Sequence, residues 1–388
     1  METTLVHAGR VPRAPVSTAM PIYPSTSFQA PTPEELDAVL GGEAAGYSYT
    51  RHANPTVDAL ANAVAALEGG ETAVCYGSGM AAIDAAFYAA GVRAGDRVLL
   101  SRDLYGASLN LAQGIWGEAG VETVVEDFGD LDRVEAALRR HAPRAMLFEV
   151  LSNPLLRVAD GPALVALAAR YGTVSIVDNT FTTPLVCRPL AWGADLVVHS
   201  ATKYLGGHGD ATGGVVVGRA AYRARLLQYV KLRGAVLGPF EAWLVHRGLR
   251  TLAVRYGRQC DNARLLAERL DASGRFARVV YPLLPHHPSR ALADRILGGR
   301  GGAVVTLELR GGREQAFDFL RRLTLVGSAT SVGDVYTLCL YPVMASHRNL
   351  APAERARMGI TDGTVRLAVG LEHVDDILAD VLQAAGTD

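Results

Sequence analysis

The stretch DLVVHSATKY, residues 195–204, decides the fold. An apolar run ends in two hydroxyl groups and one amine, those of Ser200, Thr202 and Lys203, before a glycine-rich segment that ends at Gly209. Open α/β sheets bind their ligands beyond the carboxyl ends of their strands. The stretch therefore predicts a buried strand that presents Lys203 to a ligand, although a single lysine is more often a solvated surface residue.

A second stretch, GSGMAA at residues 77–82, follows a strand-like run and opens a helical one. Backbone N–H groups at a helix amino terminus suit a phosphate, which favours an anion site here. The stretch also matches the G-x-G-x-x-G/A dinucleotide fingerprint, with Asp103 as a ribose partner, so a nicotinamide-dependent oxidoreductase is an alternative. That alternative leaves Lys203 without a role.

A third stretch, VSIVD at residues 174–178, ends in the carboxylate of Asp178. The carboxyl ends of neighbouring parallel strands lie at one edge of a sheet, so we expect Asp178 near Lys203, although Asp178 alone could equally cap a turn. Pyridoxal 5'-phosphate needs an amine for a Schiff base, an acid for its pyridinium nitrogen and a phosphate site. The three stretches together indicate that cofactor.

Alternating strand-like and helical patterns surround these stretches and predict a mostly parallel sheet with helices on both faces. The predicted strands are Thr72 to Tyr76, Arg97 to Leu100, Glu122 to Val125, Ala145 to Val150, Val174 to Asp178, Asp195 to His199 and Gly214 to Val217. The predicted helices start after Asn54 and at Met80, Leu131 and Pro162.

The pattern changes beyond about Pro239. One long helical stretch, Phe240 to Ser273, precedes strand-like runs and a closing helix, Val374 to Ala385; the runs are Ala277 to Tyr281, Ala303 to Leu309, Thr337 to Leu340 and Thr364 to Ala368. We therefore expect an extended, proline-rich arm at residues 1–50, a large cofactor-binding domain at 51–245 and a smaller α+β domain at 246–388.

Composition excludes several classes of protein. Among 388 residues, 38 Lys and Arg balance 39 Asp and Glu, so binding to nucleic acid or to an anionic membrane surface is not expected. No apolar run approaches the roughly 20 residues of a membrane span. The four cysteines lack metal-site or redox spacing, so we expect no metal. Met1 to Arg13 lacks the apolar core of a secretory signal, which favours a cytoplasmic protein.

Short motifs along nearly the whole chain resemble the Cys/Met metabolism family of pyridoxal-phosphate enzymes, which includes cystathionine γ-lyases, cystathionine γ-synthases and methionine γ-lyases. The motifs are IYPSTSF at 22–28, YTRHANPT at 49–56, YGSGMA at 76–81, VDNTF at 177–181, SATKY at 200–204 and VRLAVGLE at 365–372. The resemblance implies an α/β fold of fold type I, the aspartate aminotransferase-like fold, with pyridoxal 5'-phosphate as cofactor and an amino acid as substrate.

The resemblance also implies roles for single residues. Lys203 matches the Schiff-base lysine, Asp178 the pyridinium partner and Tyr105 the aromatic ring stacked on the cofactor. The matching phosphate ligands from the same subunit are Gly79, Met80, Ser200 and Thr202. Tyr49 and Arg51 match phosphate ligands from a neighbouring subunit, which implies a homodimer that pairs into a homotetramer. Asn153, Ser331 and Arg366 match residues that bind the substrate carboxylate, and Asn153 also matches a residue near the cofactor's phenolic oxygen.

The implied reaction is γ-elimination on cystathionine, methionine or homocysteine, which yields a 2-oxo acid, ammonia and a thiol. The alternative is γ-replacement, as in a cystathionine γ-synthase or an O-acylhomoserine sulfhydrylase. A non-catalytic relative is disfavoured, because every cofactor residue is present. Residues 208–210 and 331–338 look more like methionine γ-lyases and sulfhydrylases than like cystathionine enzymes.

Two positions depart from these relatives. Ala107 stands where methionine γ-lyases typically carry a cysteine, and Tyr336 stands where many of the lyases carry a glutamate. A tyrosine there removes an anionic partner for the distal amino group of cystathionine. We therefore expect Tyr336 to favour a smaller or less charged γ-substituent.

Overall fold

The structure is a computed structural model that describes residues 1–9, 17–345, 348 and 351–386. Residues 10–16 of the predicted arm lie outside the described residues. The strands are β1 (Thr72–Tyr76), β2 (Arg97–Ser101), β3 (Glu122–Glu126), β4 (Ala145–Glu149), β5 (Val174–Asp178), β6 (Leu196–Ser200), β7 (Gly214–Gly218), β8 (Arg278–Val280), β9 (Val304–Glu308), β10 (Gly327–Ser328), β11 (Leu338–Leu340) and β12 (Thr364–Ala368).

The helices are α1 (Glu2–His7), α2 (Pro33–Gly41), α3 (Pro55–Glu68), α4 (Gly79–Ala89), α5 (Gly106–Asn110), α6 (Leu131–His141), α7 (Gly161–Arg170), α8 (Thr183–Val186), α9 (Arg223–Arg233), α10 (Pro239–Leu249), α11 (Leu252–Ala272), α12 (Arg290–Ile296), α13 (Arg313–Arg322), α14 (Pro352–Met358) and α15 (Val374–Ala385). Among the described residues, no helix is long and apolar enough to cross a membrane.

The first seven strands form one sheet in the order β1-β7-β6-β5-β4-β2-β3. All neighbouring pairs are parallel except those of β7, which runs antiparallel to both β1 and β6. The predicted mostly parallel α/β fold is therefore confirmed. The parallel arrangement brings the carboxyl ends of β4, β5 and β6 to one edge of the sheet.

Helices cover both faces of this sheet. In β6, Leu196 and Val198 pack into an apolar cluster with α4 and α9, whereas Val197 packs into the cluster that contains residues of α3 and α7. Successive side chains of a strand point to opposite faces, so a strand buried on both faces has to be apolar throughout. This requirement explains the uninterrupted apolar run that precedes Ser200.

The second sheet has the order β10-β11-β12-β9-β8 and is antiparallel apart from the β10–β11 pair. Its buried side chains form one apolar cluster with residues of α11, α13 and α15. The chain thus passes from the first sheet to the second through α10 and α11. The proposed domain boundary near residue 245 stays a prediction.

Two predicted segments differ from the structure. The arm contains two helices, α1 and α2, and is not extended throughout; Thr32 caps α2 by accepting a hydrogen bond from the Glu35 N–H. The predicted helix Phe240 to Ser273 is two helices, because the chain turns after Leu249. There, the Gly248 carbonyl accepts a hydrogen bond from the buried Arg255 side chain at 2.8 Å.

Candidate active site

A cavity of about 250 Å³ lies at the edge where β4, β5 and β6 end. It brings together most of the residues expected from the sequence: Gly79, Met80, Tyr105, Asn153, Asp178, Ser200, Thr202, Lys203 and Arg366. Ser331 joins them through a hydrogen bond, because the Lys203 Nζ donates to the Ser331 Oγ at 3.2 Å. Residues of both sheets therefore build the site.

The amino terminus of α4 forms one wall of the cavity. The Ser78 Oγ caps this helix by accepting a hydrogen bond from the Ala81 N–H at 3.1 Å, while the N–H groups of Gly79 and Met80 have no acceptor within the helix. A Cβ at Gly79 would lie 2.8 Å from the Ser200 Cβ, so only glycine lets the helix approach β6 this closely. The resulting cradle fits a phosphate group.

Asp178 ends β5 and lines the same cavity. Its Oδ1 accepts a hydrogen bond from the Thr180 N–H at 2.9 Å. Burial raises the pKa of the Asp178 carboxyl, and the hydrogen bonds of Thr180 oppose that rise. A cation opposite Asp178 would stabilise its ionised form, so the position suits the protonated ring nitrogen of a pyridine.

A fully buried polar network supports the strand ends. The Glu68 Oε1 lies 2.6 Å from the His199 Nε2 and accepts a hydrogen bond from the Asn179 side chain at 2.8 Å. His199 directly precedes Ser200, and Asn179 directly follows Asp178. Because each buried polar group has a partner here, the network holds the ends of β5 and β6 in place.

The second sheet contributes a guanidinium group. Arg366 lies in β12, is 3% exposed, and donates to the Asn153 Oδ1 and to the Ser331 carbonyl, both at 3.0 Å. Its buried Nε has no partner among the described residues. Burial lowers the pKa of Arg366 to about 10, so the group is still charged at neutral pH. A substrate carboxylate fits this group, since a guanidinium can form paired bonds to it.

Lys203 lies between these groups. Burial lowers the pKa of its amine, and the nearby positive charge of Arg366 lowers it further. A lysine with a lowered pKa carries a larger fraction of neutral, nucleophilic amine at neutral pH. The position therefore suits covalent chemistry with a carbonyl carbon.

Sequence reasoning missed Glu149 and Thr180, which also line the cavity. Glu149 ends β4 as Asp178 ends β5, and its carboxylate accepts a hydrogen bond from the Tyr105 N–H at 2.7 Å. The signal was present, because an acid at the end of an apolar strand was used for Asp178. The predicted strand ran on to Val150 and placed Glu149 inside it.

Three expected site residues do not line the cavity of this chain. Tyr49 and Arg51 lie side by side elsewhere, with the Arg51 guanidinium 5.3 Å from the Tyr49 ring centre and donating to the Lys231 carbonyl. Tyr336 precedes β11 and its residue is 67% exposed. Asp103, the ribose partner of the dinucleotide alternative, instead forms a 2.8 Å ion pair with Arg157.

Fold and site together define the class of the protein: an α/β enzyme that uses pyridoxal 5'-phosphate. The family follows from comparison with known proteins. A family model described as Cys/Met metabolism PLP-dependent enzyme matches residues 2–385, so the chain belongs to that family. The dinucleotide alternative is wrong.

Individual relatives cover almost the full length of the chain. The L-methionine gamma-lyase of Pseudomonas putida is 43% identical over 366 residues, which are 94% of this chain and 91% of that protein. The O-succinylhomoserine sulfhydrylase of Pseudomonas aeruginosa is 39% identical, covering 98% of this chain and 94% of that protein.

A solved structure of a similar protein carries the cofactor. It is a putative O-acetylhomoserine (thiol)-lyase of Campylobacter jejuni that contains a pyridoxyl-lysine monophosphate. Its TM-score with this chain is 0.94 at 30% identity, and the match covers 100% of this chain and 99% of that one.

Proposed function

We propose that the protein catalyses γ-elimination on a sulfur amino acid, which yields a 2-oxo acid, ammonia and a thiol, and that methionine and homocysteine are its preferred substrates. One observation carries the proposal: the Lys203 amine, the Asp178 carboxylate and the Arg366 guanidinium line one cavity beside a phosphate cradle. The methionine γ-lyase relatives, at 38 to 43% identity, support the same reaction.

Each of these residues has a task in the proposed reaction. Bound pyridoxal phosphate supplies an electron sink for the bond that breaks at the substrate's α-carbon. Arg366 binds the substrate carboxylate, and Asp178 keeps the ring nitrogen protonated. Lys203 holds the cofactor's carbonyl carbon before the substrate arrives and then, as a free amine, removes the proton from the α-carbon.

The charge of the cavity supports an uncharged γ-substituent. The charged residues that line it are Glu149, Asp178, Lys203 and Arg366. The proposed reaction uses the last three, and Glu149 accepts a hydrogen bond from a backbone N–H. The described lining thus offers little to the charged distal end of cystathionine, because burying an unpaired charge is costly. A contribution of Tyr336 to this choice stays a prediction.

Gamma-replacement is the second candidate. The sulfhydrylase relative of Pseudomonas aeruginosa, at 39% identity, supports it. An O-acylhomoserine would use the same Lys203, Asp178 and Arg366 until its γ-substituent leaves. The two candidates differ only in whether water or an external thiol ends the reaction.

We propose further that the working enzyme is a homodimer, which pairs into a homotetramer, and that Tyr49 and Arg51 complete the phosphate site of the neighbouring subunit. Their position outside the cavity of their own chain supports this arrangement. Arg51 contacts the Lys231 carbonyl, next to Leu232, whose side chain is largely exposed. An exposed leucine beside a cation that the family uses on a partner is typical of a subunit interface. The cytoplasmic location stays a prediction.

The test is a substrate panel with product analysis. Purified enzyme is incubated with methionine, homocysteine, cystathionine and O-acylhomoserine, with and without added thiol, and the 2-oxo acid, ammonia and thioether products are quantified. We expect 2-oxo acid and ammonia from methionine without added thiol, and a kcat/KM for methionine above that for cystathionine. Formation of thioether products alone would replace elimination by γ-replacement.

The Lys203→Ala variant is the matched control for that panel. We expect it to fold and to bind pyridoxal phosphate without a covalent bond, because the cradle and Asp178 remain. Turnover should fall by a factor on the order of 10⁴ or more, since both the covalent link and the general base are lost. Turnover near that of the unaltered enzyme would refute the role of Lys203.

A further inference from the structure

Glu149 is a buried acid in the cavity that the proposed reaction does not use. It is the last residue of β4, and it lies beside Asp178, the last residue of β5, in the register of the two parallel strands. Neighbouring strands lie about 4.8 Å apart, so two carboxyl groups occupy adjacent positions at the cavity. An arrangement that places two acids side by side is costly and needs a reason.

The hydrogen bonds of Glu149 link it to two loops. Its Oε1 accepts from the Tyr105 N–H at 2.7 Å, and its carboxyl group also accepts from the backbone N–H of Asn153. The Tyr105 residue is 42% exposed, so packing alone holds its ring weakly. Glu149 thus fixes the backbone of the residue expected to stack on the cofactor and the backbone of the residue that contacts Arg366.

The ionisation of Glu149 agrees with a role as acceptor. Burial raises the pKa of Glu149 well above its ordinary value, and the negative charge of Asp178 raises it further, against the effect of the two backbone donors. A neutral carboxylic acid accepts hydrogen bonds from backbone amides and does not repel an ionised Asp178. The neutral form is matched in shape and charge by glutamine.

We propose that Glu149 is a positioning residue that ties the Tyr105 loop and the Asn153 loop to the end of β4 and thereby sets the plane of the Tyr105 ring over the cofactor site. The inference rests on the proposed function only for the identity of the cofactor. It does not depend on which substrate is used or on whether elimination or replacement follows.

The test compares variants of the holoenzyme by hydrogen–deuterium exchange at the Tyr105 amide and by the dissociation constant of pyridoxal phosphate. Glu149→Ala removes the acceptor, Glu149→Asp withdraws it by one methylene, and Glu149→Gln keeps it. Glu126→Ala is the matched control, since Glu126 ends β3 at the same edge of the sheet but does not line the cavity. A peptide from β9 reports on global stability.

We expect Glu149→Ala and Glu149→Asp to speed exchange at the Tyr105 amide about tenfold or more, with unchanged exchange in β9, and to weaken cofactor binding about tenfold. Glu149→Gln and Glu126→Ala should stay within about twofold of the unaltered enzyme. If Glu149→Ala does not fold, Glu149→Asp decides.

Three results would overturn the proposal. They are exchange at the unaltered rate in the alanine and aspartate variants, a glutamine variant that behaves like the aspartate variant, or faster exchange that extends equally to β9. A substrate panel without γ-elimination would leave all three readouts in place, so failure of the proposed function and failure of this inference are distinguishable.

Discussion

Asp178 and Lys203 carry opposite requirements at the scale of single residues. Burial raises the pKa of the Asp178 carboxyl and lowers the pKa of the Lys203 amine, so burial favours the neutral form of each. A neutral amine is the form in which Lys203 is reactive. Asp178, in contrast, has to be ionised, and a protonated ring nitrogen opposite it supplies the charge that makes ionisation favourable. The charge of Asp178 therefore matters more than its shape.

The first prediction replaces Asp178 by asparagine, which keeps the shape and removes the charge. We expect kcat to fall on the order of 10²-fold or more, because the electron sink depends on that charge. The absorbance spectrum of the bound cofactor should also shift. Steady-state kinetics and absorbance titration measure the two effects.

Asp195→Asn is the control for this prediction. Asp195 lies just before β6 at the opposite edge of the sheet, where it accepts hydrogen bonds from Ser175 and Tyr222. It should lower stability without changing the spectrum. An Asp178→Asn enzyme with full activity and an unaltered spectrum would show that Asp178 does not pair with the ring nitrogen.

Most of the site at this scale was predictable from the sequence. Lys203 and Asp178 follow apolar runs, and the rule that strand ends meet at one edge is enough to bring them together. The Arg366 prediction depended on the resemblance, because no local rule relates a β12 residue to Asn153. The contact between them is long-range, and its side-chain geometry is decided by the packing of the two sheets.

At the scale of elements, helix α4 and strand β6 meet at Gly79. Adding a methyl group there creates an overlap with Ser200, which has to move together with the amino terminus of α4. Overpacking of this kind typically costs about 1–3 kcal/mol. The cost falls on the phosphate cradle, so it should appear in cofactor binding.

The second prediction is that Gly79→Ala weakens the binding of pyridoxal phosphate about tenfold, which corresponds to about 1.4 kcal/mol. Binding of pyridoxal, which lacks the phosphate, should change much less. Fluorescence titration of the cofactor-free protein with both compounds measures the difference. Gly114→Ala is the control, because a Cβ at Gly114 meets no atom within 4 Å. Equal weakening for both compounds would argue against a phosphate cradle at α4.

Helix α15 presents a second element-scale device. The Asp380 carboxylate accepts hydrogen bonds from the N–H groups of Thr324, Leu325 and Val326, and from the Thr324 hydroxyl. Burial opposes ionisation of Asp380, but these donors prevail and lower its pKa to about 2. The folded state therefore favours the ionised form, and α15 is joined to the segment before β10.

The third prediction follows from that lowered pKa. Asp380→Asn should reduce the free energy of unfolding by about 1–3 kcal/mol at neutral pH, as expected when charge-assisted bonds weaken. The contribution is present above the ordinary pKa of an aspartate and is lost as the pH falls toward 2. The difference between the two proteins should therefore shrink below about pH 4.

Urea unfolding followed by circular dichroism at several pH values measures this contribution. Asp376→Asn is the control, because Asp376 lies exposed in the first turn of the same helix. A destabilisation by Asp380→Asn that stays constant from pH 7 to about pH 3 would contradict the assigned pKa direction.

The bounds of elements were predictable where local signals are strong. Val374–Ala385 and Thr364–Ala368 match the predicted ranges, since their apolar patterns end at clear boundaries. The break between α10 and α11 was not predictable, because Arg255 forms it through the carbonyls of Gly248 and Tyr204. Helix α2 was predictable in principle from the cap Thr32 and the helix-starting Pro33.

At the scale of the whole molecule, the site joins the two sheets. Lys203 follows β6 in the first sheet and bonds to Ser331, while Arg366 of the second sheet bonds to Asn153. A relative movement of the two units would therefore separate the amine from the carboxylate-binding group. The phosphate cradle belongs to the first unit alone, so cofactor binding should be less sensitive to that movement than substrate binding.

The last prediction concerns the subunit that completes the phosphate site. If Arg51 serves the neighbouring cavity, Arg51→Ala and Lys203→Ala each inactivate the homodimer, but a hybrid of the two contains one site with both residues intact. Random exchange makes about half of the dimers hybrid, each with one working site, so activity should recover to about a quarter of the unaltered value. Activity is measured after mixing under conditions in which tagged subunits are shown to exchange.

Mixing Lys203→Ala with Asp178→Asn is the control for this experiment. Both residues lie in the cavity of one chain, so no hybrid of these two variants has an intact site and no recovery is expected beyond what Asp178→Asn retains alone. Recovery with Arg51→Ala but not with Asp178→Asn would assign Arg51 to the partner's site. Equal absence of recovery in both mixtures, with exchange demonstrated, would instead assign Arg51 to its own chain, because a group that acts within its own subunit cannot be supplied by another.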